Sequence, residues 1–343
     1  MLIGGNNPVA IQSMAKFKTA DTKRVIAQIH SLKDAGCDIV RVAVKDEADA
    51  YAIRDIKKNI TLPVVADIHF NWRLAIASIE SGADKIRLNP GNISKNEEIR
   101  EICQSAKERG IPIRVGLNSG SIEGVKDRNL RGKSAVDRMV QAALAYTRLL
   151  QEYKISDIVI SLKASSVVET IEAYRKIAGL CQYPLHLGVT ATGSPFSGAI
   201  KSGIAIGALL LEGIGDTIRV SLTADPLEEI AAAKAILQAV ERGSFGPEVI
   251  SCPTCGRCEV DLVNIVSDLE KRLQTIHFRP STRKPKVAVM GCVVNGPGEA
   301  KEALLGVAFG KKEGLFFKKG KPIRKVSAGQ CADFLFREIK KEL

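Results

Sequence analysis

The sequence predicts an α/β fold: an N-terminal (β/α)8 TIM-type barrel followed by a smaller C-terminal α/β domain. Three observations carry this. Through the first 243 residues a short β-branched run ending in polar residues is followed repeatedly by an amphipathic helical stretch. No antiparallel hairpin signal interrupts the alternation, so the sheet is parallel. Eight such units in about 240 residues fit a closed barrel. An open doubly wound sheet is the runner-up, but no dinucleotide-type glycine fingerprint follows the first strand.

The expected strands are Val9–Met14, Asp38–Val44, Pro63–Ile68, Lys85–Asn89, Ile113–Asn118, Asp157–Lys163, Leu185–Thr190 and Thr217–Leu222. Helical stretches separate them. Asp21–Ala35 opens on an aspartate and stops at Gly36, and Trp72–Ser81 stops at Gly82. Asp225-Pro226 opens a helix running to Arg242, with proline in its first turn and Gly243 as its stop. The break Gly243-Ser244-Phe245-Gly246-Pro247 divides a barrel, residues 1–243, from a second domain, residues 247–343. There a helix is expected over Glu259–Leu273, strands over Lys286–Met290, Leu304–Phe309 and Gly314–Lys318, and a closing helix over Gln330–Lys341.

Composition narrows the class. Of 343 residues, 45% are hydrophobic and 26% charged, as in a soluble globular protein. Residues 1–14 lack a basic start and apolar run, and the longest apolar stretch, Ile204–Leu211, is too short to span a bilayer. A cytoplasmic protein without membrane contact is expected. Eight cysteines then read as thiols, metal ligands or cluster ligands rather than disulfides. Cys37, Cys103 and Cys181 read as small buried hydrophobes. The net charge of +12 suits an anionic substrate, an acidic protein partner or nucleic acid. With 5% aromatics, a stacking platform for single-stranded nucleic acid is not expected. Lys311-Lys312, Lys318-Lys319, Lys321, Arg324-Lys325 and Lys340-Lys341 offer a basic face to an acidic redox protein.

Barrel ligands bind at the carboxyl ends of the strands. Those ends supply Arg41, Asp67, His69, Arg87, Asn89, Arg114, Asn118, Lys163, Arg219 and Ser221. Residues two apart share a strand face, pairing Asp67 with His69, Arg87 with Asn89, and Arg219 with Ser221. Four arginines and a lysine converging from separate strands repel one another unless an anion lies between them, and arginine forks suit phosphate oxygens. The implied ligand carries about two phosphates. His69, beside Asp67, is the acid–base candidate. His30 and His277 read as bland, and His186 as a satisfied core residue.

The second domain carries Cys252-Pro253-Thr254-Cys255, then Gly291-Cys292, then Gly296-Pro297-Gly298-Glu299. A C-x-x-C pair with a later third cysteine reads as a metal or iron–sulfur site. Zinc would take Cys252, Cys255, Cys258 and Cys292. An iron–sulfur cluster would take Cys252, Cys255, Cys292 and Glu299, and leave Cys258 spare. A carboxylate is a hard ligand on soft chemistry, so the iron it holds would be open to exchange.

The segments Ile11-Gln12-Ser13-Met14, Val65-Ala66-Asp67-Ile68-His69-Phe70, Ile86–Asn92, Ile113–Ser121, Glu212–Leu222, Ser251–Arg257 and Met290–Glu299 resemble the 4-hydroxy-3-methylbut-2-enyl diphosphate synthase family. The likeness spans nearly the whole chain, in the compact two-domain bacterial form. It implies two-electron reductive ring opening and dehydration of 2-C-methyl-D-erythritol 2,4-cyclodiphosphate, in isoprenoid precursor synthesis. It implies one 4Fe-4S cluster on Cys252, Cys255, Cys292 and Glu299, with reduced ferredoxin or flavodoxin as electron source. It assigns substrate binding to Arg41, Arg87, Asn89, Arg114, Asn118, Lys163, Arg219 and Ser221, and catalytic roles to Asp67, His69 and Glu299. It also implies a homodimer in which one subunit's cluster domain closes over its partner's barrel. The chain departs from the family at Gly188-Val189-Thr190-Ala191-Thr192-Gly193, where members carry a glutamate at the position of Ala191, so that proton donor is not carried over. Cys258 occupies a variable position and is read as a non-ligand. The competing class is a zinc-stabilised phosphate- or RNA-binding module with Cys258 as ligand. A radical S-adenosylmethionine barrel lacks its C-x-x-x-C-x-x-C here.

Overall fold

The computed structural model describes residues 1–124 (122–124 in backbone only), 132–190, 192–243, 245–273, 285–293, 298, 300, 302–311 and 313–342. Glu299, Ala191, His277 and most of the turn at 295–298 lie outside the described residues. The chain divides into two compact units, Met1–Arg242 and Gly243–Leu343.

In the first unit eight parallel strands alternate with helices: β1 (Ala10–Met14), β2 (Ile39–Val44), β3 (Val64–Ile68), β4 (Lys85–Leu88), β5 (Ile113–Asn118), β6 (Ile158–Lys163), β7 (His186–Leu187) and β8 (Thr217–Ile218). Their order is β6-β5-β4-β3-β2-β1-β8-β7. An isolated parallel bridge, Ile160 to Leu185, with Ile160 N–H donating to the Pro184 carbonyl at 2.9 Å, links β6 to the approach of β7 and brings the ring round on itself. The intervening helices are α1 (Thr22–Asp34), α2 (Glu47–Asn59), α3 (Trp72–Glu80), α4 (Asn96–Glu108), α5 (Ala135–Glu152), α6 (Val167–Ala178), α7 (Pro195–Leu211) and α8 (Pro226–Ala239).

Local chemistry sets the helix starts. Asp21, Asp46, Asn71, Ser134, Ser166 and Asp225 each accept a backbone N–H of the first turn, worth ~1 kcal/mol apiece. Pro195 and Pro226 sit in first turns, where no N–H is missed. Outward strand residues Ile68, Ile86 and Leu88 and the helix residues Ile53, Ile56 and Ile79 are fully enclosed between sheet and helices, at roughly 1.5–3 kcal/mol per side chain.

Helix α8 stops at Ala239, three residues short of the sequence expectation, because Glu241 takes up φ +58 and the left-handed backbone breaks the ladder. Strands β7 and β8 are shorter than expected. Beyond Leu187 the chain leaves the ladder: Thr190 N–H donates to the Ala164 carbonyl at 3.2 Å, and Thr192 Oγ1 donates to the Ser221 carbonyl.

The second unit holds a five-stranded mixed sheet, ordered β13-β12-β11-β10-β9. Its strands are β9 (Glu248–Ser251), β10 (Lys286–Met290), β11 (Leu305–Phe309), β12 (Glu313–Lys318) and β13 (Lys321–Ser327). Strands β9, β10 and β11 are parallel; β12 and β13 continue as an antiparallel meander. Helices α9 (Leu262–Leu273) and α10 (Cys331–Glu342) complete the unit. One sheet face packs Val287, Val289, Leu305, Val307 and Phe309 against Leu262, Leu269, Leu335 and Ile339. Alternate residues Ala288, Met290, Ala308 and Phe317 face a second cluster with Ala300 and Ala303. Helix α9 begins at Leu262 rather than Glu259, because Asp261 caps it by accepting from Asn264 N–H at 3.2 Å.

Candidate active site: a basic barrel interior and a cysteine-bearing sheet

Sheet register brings the barrel's charged residues together. Asp67 on β3 pairs with Arg87 on β4, and Arg87 with Arg114 on β5. Next along, Met14 pairs with Arg41, Ala43 with Asp67, and Asn118 with Lys163. Two guanidinium groups and an imidazole converge on one carboxylate. Arg87 Nη1 is 3.2 Å from Asp67 Oδ1, while Arg41 Nε and His69 Nε2 stand 3.7 and 3.6 Å from Oδ2. Burial pushes the Asp67 carboxyl up, but Arg41, the His69 contact, Arg87 and Arg114 together outweigh it and hold it well below the usual carboxylate range. The Asp67 side chain is 5% exposed and that of His69 49%, so the pair runs from interior to rim.

The remaining cations are held by the scaffold. Arg87 Nη2 donates to the Gly116 carbonyl at 2.9 Å, and a Cβ on Gly116 would meet Arg87 Nε at 2.5 Å. Gly188 does the same for Lys163: an added Cβ would lie 2.8 Å from its Nζ and 2.8 Å from the Arg219 carbonyl oxygen. Arg114 donates to Gln12 Oε1 at 2.9 Å, and Arg41 lies against Met14 Sδ at 2.9 Å. Burial, with Arg41 next, pushes Arg114 and Lys163 well below their ordinary values and Arg219 to about 10. The buried Nε atoms of Arg114 and Arg219 and Nε2 of Gln12 have no hydrogen-bond partner among the described residues. Desolvated donors without acceptors are costly, and an oxyanion of a bound ligand would satisfy them.

Of the other sequence-expected residues, Asn89 shapes the turn after β4, its Oδ1 accepting from Gly91 N–H at 3.1 Å. Asn118 receives Ser121 Oγ at its backbone, at 3.2 Å from N and 2.9 Å from O. Ser221 follows β8 and accepts at its carbonyl from Thr192. Sequence reading did not single out Gln12, Met14, Lys85 or Thr217, and it read His186 as core. The signal for Gln12 and Met14 was their parity, two apart on a strand beside Arg41.

A further cavity lies elsewhere. About 840 Å³ opens at the N-terminal end of the barrel, lined by Ile39, Val65, Lys85, Pro112 and Pro184 among others. Burial and Arg114 lower Lys85 to about 8. Catalysis in such barrels sits at the opposite end, and the arginine cluster, not cavity size, marks the site.

In the second unit, parallel pairing of Ser251 with Val289 puts Cys252 and Cys292 just beyond neighbouring strand ends. Gly291 N–H donates to Cys252 Sγ at 3.3 Å, and Cys258 N–H to the Cys255 carbonyl at 2.9 Å. Thr254 turns the C-x-x-C loop at φ +62. Cys255 is exposed, Cys252 and Cys292 half-buried. A backbone N–H to sulfur contact and soft cysteine side chains at one sheet end fit an iron–sulfur cluster. Cys258 is engaged otherwise: its thiol donates to the Val260 carbonyl at 3.2 Å, it packs against the core, and a Cβ on Gly291 would meet its Sγ at 2.5 Å. Among the described residues no three His, Cys, Asp or Glu side chains stand close enough to hold a single ion.

The basic residues of this unit do not form one face. Strand polarity places Lys311 and Lys325 toward the sheet end that bears Cys252 and Cys292, and Lys318, Lys319 and Lys321 at the other end. No helix among the described residues is long and apolar enough to cross a membrane.

Comparison with known proteins agrees with this architecture. Residues 1–234 match the family description "GcpE TIM-barrel domain", and residues 248–341 match "GcpE protein C-terminal domain". A protein of Caldanaerobacter subterraneus subsp. tengcongensis is 53% identical over 340 residues, covering 99% of this chain and 94% of its own. One of Fusobacterium nucleatum subsp. nucleatum is 50% identical over 341 residues, covering 99% and 95%. Both are named 4-hydroxy-3-methylbut-2-en-1-yl diphosphate synthase (flavodoxin). Among solved structures, dihydropteroate synthase of Stenotrophomonas maltophilia superposes with TM-score 0.52 at 15% identity, over 68% of this chain and 94% of that one. That likeness is of barrel fold alone. Matched along both units, the chain belongs to the GcpE family.

Proposed function

We propose that this chain catalyses the reductive ring opening and dehydration of 2-C-methyl-D-erythritol 2,4-cyclodiphosphate to 4-hydroxy-3-methylbut-2-enyl diphosphate. Two electrons enter from reduced flavodoxin or ferredoxin, a ring C–O bond to the diphosphate breaks, and a hydroxyl departs as water. The relatives' shared name supports the activity. The observation that carries it in the structure is the barrel's cation set around Asp67, with Arg114 Nε and Arg219 Nε buried and unpartnered.

Cys252, Cys255, Cys292 and Glu299 would hold one 4Fe-4S cluster. When bound, it supplies one-electron transfer to the reacting carbon framework. The chain's own residues do the rest. Arg41, Arg87, Arg114, Lys163 and Arg219 bind the diphosphate, as forks and point charges suited to phosphate oxygens. Asn89, Asn118 and Ser221, near those strand ends, orient it. Asp67 stays ionised and fixes the Arg41 and Arg87 forks. His69, half exposed and 3.6 Å from Asp67, holds or moves a proton at the rim. Cys258's hydrogen bond to Val260 supports its exclusion from the ligand set.

A homodimer is part of this reading. On α7, Phe196, Ile200, Ile204 and Leu211 recur at helical spacing and are exposed, Phe196 at 79% and Leu211 at 71%. A continuous apolar stripe on a helix surface marks an interface.

The test is protein purified without oxygen, assayed for iron, sulfide, zinc and turnover of the cyclic diphosphate with reduced flavodoxin. Four iron and four sulfide per chain, with turnover lost on Arg114→Met and on Cys292→Ala, is the expected result. Cys258→Ala keeps its iron. One zinc per chain, lost on Cys258→Ala, would overturn the reading.

A further inference from the structure

We propose that His186 is a positioning residue for the anion site: as a neutral ring it accepts a hydrogen bond from the Lys163 ammonium and keeps that ammonium charged and aimed. The inference deepens the substrate-binding reading above and rests on it.

The geometry is closed around the ring. Lys163 Nζ lies 3.4 Å from His186 Nε2, and Thr217 Oγ1 2.8 Å from His186 Nδ1. The His186 backbone is pinned as well: Tyr174 OH donates to its carbonyl at 2.5 Å, and that same hydroxyl accepts from Leu162 N–H at 3.1 Å. Thr217 is its direct partner across the β7–β8 ladder.

Donor–acceptor logic fixes the tautomer. An ammonium only donates, so Nε2 must be the acceptor. Nδ1 then carries the hydrogen, and Thr217 Oγ1, a donor or an acceptor as required, accepts it. The ring cannot be the charged partner. The charged groups that act on it are Lys163 from β6, Arg114 from β5, Arg41 from β2 and Lys85 from β4, all cationic. Burial, then Arg114, Lys163, Arg41 and Lys85, holds its pKa well below the ordinary imidazole value. The neutral neighbours are Thr217 from β8 and Tyr174 from α6, with Ser161 Oγ 3.5 Å from the Tyr174 hydroxyl.

The consequence falls on Lys163. Burial, then Arg41, Arg219, Arg114 and Arg87, depresses it far below an ordinary lysine. No carboxylate is hydrogen-bonded to it among the described residues; the Nε2 lone pair is its acceptor. A diphosphate arriving beside it raises its proton affinity, so binding takes up a proton wherever the pH exceeds the free-state value. Affinity is therefore full below that value and falls as pH rises through it. Without the His186 lone pair the free-state value drops further, and the loss of affinity begins at lower pH.

The test is titration calorimetry of inorganic pyrophosphate into the full chain, cluster loaded and kept without oxygen, over a pH series in buffers of different ionisation heat. Beyond the proton change of pyrophosphate itself, wild type is expected to bind with net proton uptake that grows with pH. His186→Leu should weaken binding about 10- to 100-fold at the high end of the series, the range of one lost charge-assisted hydrogen bond, and clearly less at the low end. His186→Gln, which restores an acceptor, should recover part of that loss. Thr217→Val should show the same pH-dependent weakening in smaller degree, with Thr217→Ser like wild type; this pair serves if His186→Leu fails to fold. Unchanged affinity and proton count in both His186→Leu and Thr217→Val would overturn the inference and leave the anion site standing. A uniform loss across the whole pH series with unchanged proton count would also overturn it, as a purely structural effect. Wild type that ignores pyrophosphate would overturn the anion site and this inference together.

Discussion

Asp67 Oδ1 and Arg87 Nη1 lie 3.2 Å apart on adjacent strands in the same register, with Arg114 next in the row. This is the one carboxylate that Arg41, His69 and Arg87 share, and it keeps the arginine forks from scattering under mutual repulsion.

Asp67→Asn is therefore expected to destabilise the barrel by roughly 3–5 kcal/mol, the cost of leaving buried charge uncompensated. Chemical denaturation measures it, and pyrophosphate should restore part of the loss by replacing the missing negative charge. The pH sign follows from the depressed carboxyl. The ionised form's contribution is complete above the ordinary aspartate value and is lost progressively as pH falls from that value toward the depressed folded one. Acid unfolding that begins above the ordinary aspartate value must therefore come from other groups.

Gly116 and Gly188 are sites where a single methyl is expected to cost binding more than stability. An alanine Cβ would sit 2.5 Å from Arg87 Nε in one case and 2.8 Å from Lys163 Nζ in the other. Overpacking of this kind costs about 1–3 kcal/mol. At Gly116 the group met is a candidate anion-binding end, and at Gly188 the methyl meets both such an end and the Arg219 carbonyl oxygen at 2.8 Å. Pyrophosphate affinity should drop at least tenfold in each variant, while the melting temperature falls by a few degrees for Gly116→Ala and by more for Gly188→Ala. A large loss of stability with unchanged affinity would mean the backbone had yielded instead.

The barrel was legible because its signal is repetitive. Strand β5 runs Ile113–Asn118 as read from the sequence, and β1 to β4 and β6 differ at their ends by a residue. The parity rule correctly set Asp67 beside His69. What escaped lacked a hydrophobic pattern. Strand β13, Lys321–Ser327, carries Pro322 and three cationic residues and reads as a charged loop. As an edge strand it tolerates both, because one side of its backbone needs no partner. The Lys163–His186–Thr217 chain escaped because its members come from three strands, and no local spacing encodes the approach. Strands β7 and β8 are shorter than their β-branched runs because beyond Leu187 and Ile218 the ladder gives way to other bonds, Thr190 N–H to the Ala164 carbonyl and Thr192 Oγ1 to the Ser221 carbonyl.

The exposed stripe on α7 gives a direct test of assembly. Ile204→Glu places a charge in the middle of Phe196, Ile200 and Leu211, on a surface position with no role in the core of one subunit. Sedimentation should show a dimer for wild type and a monomer, or a dimer weakened by at least tenfold, for the variant, with an unchanged melting profile at low concentration. A monomeric wild type would show that the stripe serves another partner.

Electron delivery should depend on charge at one end of the small sheet only. Lys311 lies toward the end bearing Cys252 and Cys292, and Arg257 stands between Cys255 and Cys258 in the cysteine loop, whereas Lys319 sits in the turn between β12 and β13 at the far end. On the proposed function an acidic carrier would approach the cysteines to deliver electrons, and rim charges act mainly on association rate and salt dependence. Lys311→Glu and Arg257→Glu are each expected to raise the flavodoxin KM several-fold at low ionic strength. The effect should shrink above the salt at which the Debye length falls below about 8 Å. Lys319→Glu should leave the KM unchanged, and kcat at saturating carrier should be the same in all three. Equal effects from Lys319 and Lys311 would show that overall basic charge, not the cysteine end, attracts the carrier.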